Sequence, residues 1–223
     1  MSSVLESERV VRTLSELRTI GVREDALYRE RIQAREAELG APLYGWERAE
    51  IGADAPLAIS PDVGQVLYAL VLSLRPSLIV EFGTSLGIST IYLASALAEL
   101  GAGTLITTEL VPPKAAQARS ALAAAGLIDW VECRVGDALV TLADIDCVVD
   151  LLFLDGSNDL YLPVLELLER RLAPAAVIVA DMSAGDPHHE HYRQHVSDPE
   201  NGLTSAEIDL GAGLVVSTPR PLA

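Results

Sequence analysis

The feature that most constrains this chain is a strand, a glycine turn and a helix in immediate succession. An apolar strand pattern, LIVEF, covers residues 78–82, glycines follow at Gly83 and Gly87, and a helical pattern begins at Ile88. Such a unit points backbone N–H groups and the positive end of a helix at a bound ligand. Glycine is favoured where the backbone approaches that ligand or adopts a positive φ. We therefore expect a ligand site at this turn.

The rest of the chain alternates between strand and helix patterns. The central strand patterns are continuous apolar runs, which is typical of parallel strands covered on both faces. Near the C-terminus, two strand patterns are joined through Gly211-Ala212-Gly213, which predicts an antiparallel hairpin. The fold class predicted is α/β, a Rossmann-like doubly wound sheet of seven strands, mostly parallel, with helices on both faces. The predicted strands lie near 78–82, 104–108, 130–134, 148–154, 176–181, 206–210 and 214–217, and the helices of the core near 87–100, 113–125 and 160–172.

The N-terminal quarter is predicted to be helical. Periodic apolar positions indicate a helix over 4–20 that ends at Gly21, and a charged helix over 24–39. Ser60 is expected to cap a further helix that begins at Pro61. We expect one domain over 1–223, with a helical cap (1–58) and a ligand-binding core (59–223).

The charge balance excludes several classes of partner. The 223 residues include 16 basic and 32 acidic side chains, a formal net charge of -16. Such a surface repels nucleic acid phosphates and anionic membranes. No apolar run approaches the length of a membrane span. We expect a cytoplasmic protein with a small-molecule ligand and neither nucleic acid nor membrane as partner.

Acidic residues mark the end of every predicted parallel strand. Ligands of open α/β sheets bind beyond the carboxyl ends of the strands. One acid in such a position often only caps the next helix, but five on one edge of a sheet indicate a binding site. They are Glu81, Glu109, Asp137, Asp155 and Asp181.

The spacing around the glycine turn narrows the choice of ligand. Dinucleotide sites use G-x-G-x-x-G, which brings a pyrophosphate onto the helix N-terminus. Here the pattern is E-x-G-x-x-x-G, with Glu81 just before the first glycine. A carboxylate there repels pyrophosphate and attracts an ammonium or sulfonium group. Glu109 lies about twenty residues beyond the turn, where an acid bonds ribose hydroxyls. S-adenosylmethionine satisfies these requirements better than a nicotinamide dinucleotide, which stays a weaker alternative.

Further motifs resemble one enzyme family over about residues 56–218. The chain is similar to class I S-adenosylmethionine-dependent methyltransferases, specifically the catechol and caffeoyl-CoA O-methyltransferase-like group with its small bacterial members. The resemblance implies transfer of a methyl group to an oxygen of a small molecule, and suggests a homodimer. The motifs are ISPDVGQ, VEFGTSLGIST, TTEL, GDAL, FLDGSNDLYLPVL and VIVADM.

The resemblance assigns the glycine turn to the methionine end of the cofactor. Gly83, Ser85 and Gly87 would shape the cofactor loop. Glu81 would lie at the base of this loop, and Ser89 would bind the methionine carboxylate at the helix N-terminus.

The later strand ends are assigned to the adenosine and the reacting centre. Glu109 would hold the ribose hydroxyls, and Gly136, Asp137 and Ala138 would line the adenine. Asp155 would face the methionine ammonium and the reacting centre.

Two positions depart from the metal-dependent members of the family. Those members carry D-x-x-K after the fourth strand and Asp-Asn at the end of the fifth. Here Asn158 stands at the lysine position, and Met182 follows Asp181. An amide does not titrate, and a thioether is a poor ligand for a hard cation. We therefore expect a degenerate metal site and no catalytic lysine; the sequence leaves Mg²⁺ open and favours its absence.

The sequence therefore leaves several residues as candidates for the general base of the reaction. Asp155 and Asp181 are candidates, and so is His188, because unperturbed histidine titrates near neutral pH. All four histidines fall within 188–195, where His188, His191 and His195 would share one helical face. A plain solvated helix is the alternative for this segment. A non-catalytic S-adenosylmethionine-binding protein is the alternative for the whole chain.

Overall fold

A computed structural model describes residues 3–41, 43, 47, 50–51, 58–182 and 189–220. In this part of the chain, seven strands form one sheet in the order β3-β2-β1-β4-β5-β7-β6. Strands β1 to β5 are parallel, and β7 runs antiparallel to both β5 and β6. The predicted doubly wound sheet with its C-terminal hairpin is thus confirmed. The strands are β1 (Leu78–Phe82), β2 (Thr104–Glu109), β3 (Val131–Val135), β4 (Val149–Leu154), β5 (Leu172–Asp181), β6 (Leu203–Ile208) and β7 (Leu214–Pro219).

Helices cover both faces of the sheet. Helices α1 to α4 contribute to one hydrophobic core, and α5 to α7 contribute to the other. These helices are α1 (Glu8–Leu39), α2 (Pro61–Leu74), α3 (Ile88–Leu100), α4 (Pro112–Ala125), α5 (Ala138–Thr141), α6 (Tyr161–Leu168) and α7 (His189–Ser197). Among the described residues, no helix combines the length and apolar character that crossing a bilayer would require.

The central strands read as continuous apolar runs because each side of the sheet has its own core. In β4, Leu151 and Phe153 pack into the core under α1 to α4, whereas Leu152 and Leu154 pack into the core under α5 to α7. All four side chains are fully buried. Successive side chains of a strand point to opposite faces, so a strand covered on both faces needs apolar residues at every position.

The N-terminal helices differ in one respect from the prediction. Ser60 caps α2 as expected, since its Oγ accepts a hydrogen bond from the Val63 amide at 3.3 Å. The expected break at Gly21 is wrong, because α1 continues through this residue to Leu39. A glycine inside a helix costs about 1 kcal/mol, which a long helix tolerates. The helix ends instead at Gly40, whose φ of 65° is left-handed.

Candidate cofactor and active site

The parallel sheet brings four acid-bearing strand ends side by side. Because β2, β1, β4 and β5 are consecutive neighbours in the sheet, their carboxyl ends lie along one edge. Glu81 lies on β1, Glu109 and Asp181 end β2 and β5, and Asp155 directly follows β4. The topological switch point lies between β1 and β4, because the chain proceeds from β1 to β2 and β3 on one side and then crosses to β4 and β5 on the other. Four of the five predicted acids therefore lie along one edge of the sheet.

The glycine turn is pressed against the end of β4. Gly83 has a φ of 103°, and a Cβ atom built on it would overlap the Asp155 carbonyl oxygen and lie 2.6 Å from the carbonyl carbon. The Asp155 amide donates a hydrogen bond to the Phe82 carbonyl at 2.8 Å. Only glycine fits this conformation and this space. The turn thus fixes where the backbone of Asp155 lies.

The helix that follows the turn begins without a side-chain cap. Gly87, with a φ of 90°, occupies the N-cap position of α3 and offers no side chain to its first-turn amides. Ser89, in this first turn, is buried. Free amides and the helix dipole make such an N-terminus a site for an anion. A carboxylate of a small ligand fits here.

Glu109 connects the glycine turn to the second strand. Its Oε2 accepts a hydrogen bond from the Ser85 amide at 2.8 Å, and its Oε1 accepts one from the Val111 amide at 2.9 Å. Ser85 has a φ of 47°, a left-handed conformation that is uncommon outside glycine. Residues persist in such an unfavourable conformation where the surrounding contacts hold them in place, often at ligand sites.

Glu81 is a fully buried carboxylate at the base of the turn. Its Oε2 accepts a hydrogen bond from the Thr90 hydroxyl at 2.6 Å. Its Oε1 completes no hydrogen bond within the described residues. Burial raises the pKa of Glu81, and the hydroxyls of Ser89, Thr107 and Thr90 oppose this shift in part. The residue is an acceptor with capacity left for a donor group.

The end of β3 contributes backbone rather than charge. The Gly136 amide donates to the Glu109 carbonyl at 2.9 Å, which holds this turn beside β2. The Asp137 carboxylate is exposed and accepts a hydrogen bond from the Leu139 amide at 2.9 Å as the cap of α5. Ala138 is buried in the core. Asp137 thus has the capping role that a single strand-end acid often has.

Asp155 and Asp181 form an interacting acid pair. Burial raises the pKa of Asp155 well above its usual value, and the negative charges of Asp181 and Glu81 raise it further. Burial raises the pKa of Asp181 to about 6. Three carboxylates that repel one another in a partly buried site favour a cationic ligand. Such a site suits a sulfonium or ammonium group and disfavours a polyphosphate.

The described donors around Asp155 and Asp181 do not match a complete divalent-metal site. In the ranges that the structure describes, no group of three or more His, Cys, Asp or Glu side chains is arranged to hold a metal ion. Met182 is buried, and its thioether is a poor ligand for Mg²⁺, which requires oxygen. Asp155 and Asp181 alone would hold such an ion only weakly, together with water and substrate oxygens.

The histidine segment is only partly described. His188 lies outside the described residues. His191 is exposed and His195 is partly exposed, as expected for a solvated helix face. His189 is buried instead, and its ring packs 5.1 Å from the ring of Tyr161. The contact between His189 and Tyr161 was not predicted from the sequence, since aromatic residues beside a strand end carry no distinctive spacing.

The raised pKa of Asp181 predicts a pH-dependent stability. The folded state disfavours the charged form, so this penalty is absent below the unfolded pKa of about 4 and grows as the pH rises through about 6. We expect Asp181→Asn to stabilise the ligand-free protein at pH 8 by an amount on the order of 2 kcal/mol, and much less at pH 4. Urea unfolding at the two pH values measures this difference. Asp129→Asn, which removes an exposed carboxylate, is the control; an equal gain from Asp181→Asn at both pH values would contradict the prediction.

Comparison with known proteins identifies similar chains. The model of a methyltransferase domain family matches residues 80–182. The chain is 34% identical to a catechol O-methyltransferase of Niastella koreensis over 137 residues, which are 60% of this chain and 61% of that relative. It is 32% identical to a catechol O-methyltransferase of Mycobacterium tuberculosis over 158 residues, 70% of each chain. The match therefore spans about three fifths of the Niastella relative's length.

Solved structures show the same fold. The O-methyltransferase TomG of Streptomyces achromogenes, solved in complex with S-adenosylmethionine, superposes with a TM-score of 0.67 at 25% identity, covering 86% of this chain and 98% of TomG. Rv0187 from MTB, solved with its cofactor bound, superposes with the same TM-score of 0.67 at 27% identity. The superposition covers 74% of this chain and 83% of Rv0187. With 32% identity over 70% of the mycobacterial relative, the chain belongs to the family of S-adenosylmethionine-dependent O-methyltransferases.

Proposed function

We propose that this protein is an S-adenosylmethionine-dependent methyltransferase that methylates a hydroxyl oxygen of a small molecule. The observation that carries the proposal is the group of Glu81, Asp155 and Asp181 at the ends of adjacent strands, beside an uncapped helix N-terminus. This arrangement suits a ligand that is cationic at sulfur and carries a carboxylate. The relatives named catechol O-methyltransferase, and the cofactor in the TomG complex, support the same activity.

Each part of the site has a distinct task in binding. The first-turn amides of α3 with Ser89 bind the methionine carboxylate, and Asp155 attracts the ammonium group. Glu109 binds the ribose hydroxyls through the carboxylate lone pairs that do not accept from the Ser85 and Val111 amides. Gly136 and Ala138 supply backbone and apolar surface for the adenine.

The reaction is an in-line displacement. When bound, S-adenosylmethionine supplies an electrophilic methyl group: the acceptor oxygen forms the new O–C bond, the C–S electron pair returns to sulfur, and the hydroxyl proton is released. The protein orients the two reactants, which accounts for much of the rate in such a transfer. Asp181 is the residue suited to take the proton, because its pKa of about 6 makes it a base at neutral pH. His188 stays an alternative base.

Calorimetry and an acceptor screen test this function. We expect the purified protein to bind S-adenosylmethionine and S-adenosylhomocysteine, and not NAD. Incubation with S-adenosylmethionine and a panel of small hydroxylated molecules, beginning with catechols, should give a product heavier by one methyl group. Failure to bind either adenosyl ligand would contradict the proposal; binding without transfer to any acceptor would favour a non-catalytic role.

The same screen tests the metal requirement. Because the described residues do not fit a divalent cation, we expect turnover to be the same with added Mg²⁺ and with excess EDTA. A metal-dependent catechol O-methyltransferase assayed in parallel is the control and should lose activity in EDTA. Loss of turnover in EDTA, restored by Mg²⁺, would contradict our interpretation of Met182.

Other properties of the chain are proposals as well. We propose a cap over 1–58 and a cofactor-binding core over 59–223, a homodimer, and a cytoplasmic location. The homodimer is testable by light scattering coupled to size-exclusion chromatography, and the domain division by limited proteolysis.

A further inference from the structure

The two acids of the reacting centre lie just beyond the last paired residues of β4 and β5. The register between β4 and β5 extends to Leu154 and Ala180, and Asp155 and Asp181 are the next residues. Asp155 is held from the other side, because its amide donates to the Phe82 carbonyl of β1 at 2.8 Å. The ladder between β4 and β5 therefore brings the two acids side by side but ends one residue before them, and Asp181 is paired on its other side with Leu214 of β7.

A buried hydroxyl group provides a connection at this point. The Tyr161 hydroxyl donates a hydrogen bond to the Asp181 carbonyl at 2.6 Å. Tyr161 is the first residue of α6, six residues beyond Asp155 along the same connection. Its hydroxyl thus links the segment that follows β4 to the last residue of β5. Only 1% of Tyr161 is exposed, so water does not compete for this bond.

The ring of Tyr161 is held rigidly by other aromatic rings. Phe82 and Tyr192 contact it edge to face, with centroids 6.3 Å and 5.8 Å away. The ring of His189 lies against it at 5.1 Å. Phe82 in turn packs over Gly156, where a Cβ atom would overlap its ring. A hydroxyl carried on a ring with this many contacts has little freedom to follow a shift of Asp181.

We propose that Tyr161 is a positioning residue for methyl transfer: its hydroxyl holds Asp181 at the distance from Asp155 that the acceptor oxygen requires. The inference rests on the function proposed above, because it assumes that the acceptor reacts beside these two acids. The role explains why a tyrosine rather than a phenylalanine occupies a fully buried position among aromatic rings.

Tyr161→Phe removes the hydrogen bond and keeps the ring. The matched control is Tyr192→Phe, in the same aromatic cluster, since the Tyr192 hydroxyl lies near the Ser217 side chain, whereas the Asp181 carbonyl accepts its hydrogen bond from Tyr161. Misplacing a reactive group by about 1 Å can cost about 100-fold in rate, so we expect kcat of Tyr161→Phe to fall at least ~10-fold. Its affinity for S-adenosylhomocysteine should equal that of the wild type, and Tyr192→Phe should equal the wild type in both measurements.

Amide exchange gives a readout that does not depend on turnover. The Met182 amide donates to the Gly213 carbonyl at 2.8 Å and directly follows the carbonyl that Tyr161 binds. We expect its exchange, followed by NMR, to be about fivefold faster in Tyr161→Phe, as for the loss of one typical hydrogen bond, and unchanged in Tyr192→Phe.

The two readouts separate failure of this inference from failure of the proposed function. If the wild type turns over no acceptor, the function is contradicted, and the exchange of Met182 alone decides whether Tyr161 holds Asp181. Wild-type kcat in Tyr161→Phe, or unchanged exchange at Met182, would overturn the inference. So would an equal loss of kcat in both variants, or a loss accompanied by weaker ligand binding, because either result would indicate a general effect on folding.

Discussion

Replacing Glu109 by alanine is expected to weaken binding of S-adenosylhomocysteine at least ~100-fold, because hydrogen bonds to a charged group contribute about 1.5 to 3 kcal/mol each. In the role proposed for Glu109, the variant loses two such bonds to the ribose hydroxyls. It also loses the contacts of Oε2 with the Ser85 amide and of Oε1 with the Val111 amide. The glycine turn then keeps its backbone hydrogen bonds to the Thr108 carbonyl of β2 but loses the contact that holds the Ser85 amide.

Calorimetry on the variant and on a control measures this effect. Glu132→Ala removes an exposed carboxylate of the neighbouring strand β3 and should bind as the wild type does. Binding of the 2′-deoxy analogue of S-adenosylhomocysteine separates the ribose contact from the loop contact. The missing hydroxyl should weaken binding to the wild type and have little further effect in Glu109→Ala. Wild-type affinity in Glu109→Ala would remove Glu109 from the ribose site.

Gly83→Ala is expected to abolish cofactor binding and to destabilise the fold. The φ of 103° is unfavourable for any residue with a Cβ atom, and the added methyl group would overlap the Asp155 carbonyl. Backbone strain and overpacking together should lower the free energy of unfolding by about 3 to 5 kcal/mol. Since the turn and the β4 end must separate, both the cofactor loop and Asp155 move.

A second glycine provides the control for backbone strain alone. Gly101 has a φ of 66°, but a Cβ atom built there meets no atom within 4 Å. Gly101→Ala should therefore lower the free energy of unfolding by only about 1 to 2 kcal/mol, and its ligand affinity should be unchanged. Thermal unfolding and calorimetry on both variants make the comparison. Tight cofactor binding by Gly83→Ala would contradict the close contact between the turn and Asp155.

The elements themselves were predictable because their signals are local. The β1 strand was predicted with its observed bounds, since an apolar run that only Glu81 interrupts ends at a glycine. Ser60, with proline next to it, was a reliable helix start for the same reason. Gly21 was misjudged because helix propensity is a weak preference, which the rest of a 32-residue helix overrides.

The candidate site was predictable as an edge of the sheet but not as a set of contacts. Acids at the strand ends could be recognised from the alternation of patterns, and so could the absence of a lysine at Asn158. The capping role of Asp137 could not be separated from a ligand role, because the two have the same sequence signal. The hydroxyl of Tyr161 was not foreseen, because its partner is the backbone of a residue on another strand.

By itself, the sequence determined the class of fold, the glycine turn and the sign of the charge around the ligand, because these depend on residues close together along the chain. The strand order was decided only by tertiary structure: Ile79 of β1 pairs with Leu151 of β4, more than seventy residues away. That pairing brings Asp155 beside Gly83, and the next one brings Asp181 beside Asp155. Local periodicity cannot encode such pairings, since they follow from burying two cores at once and from satisfying the backbone hydrogen bonds of every strand.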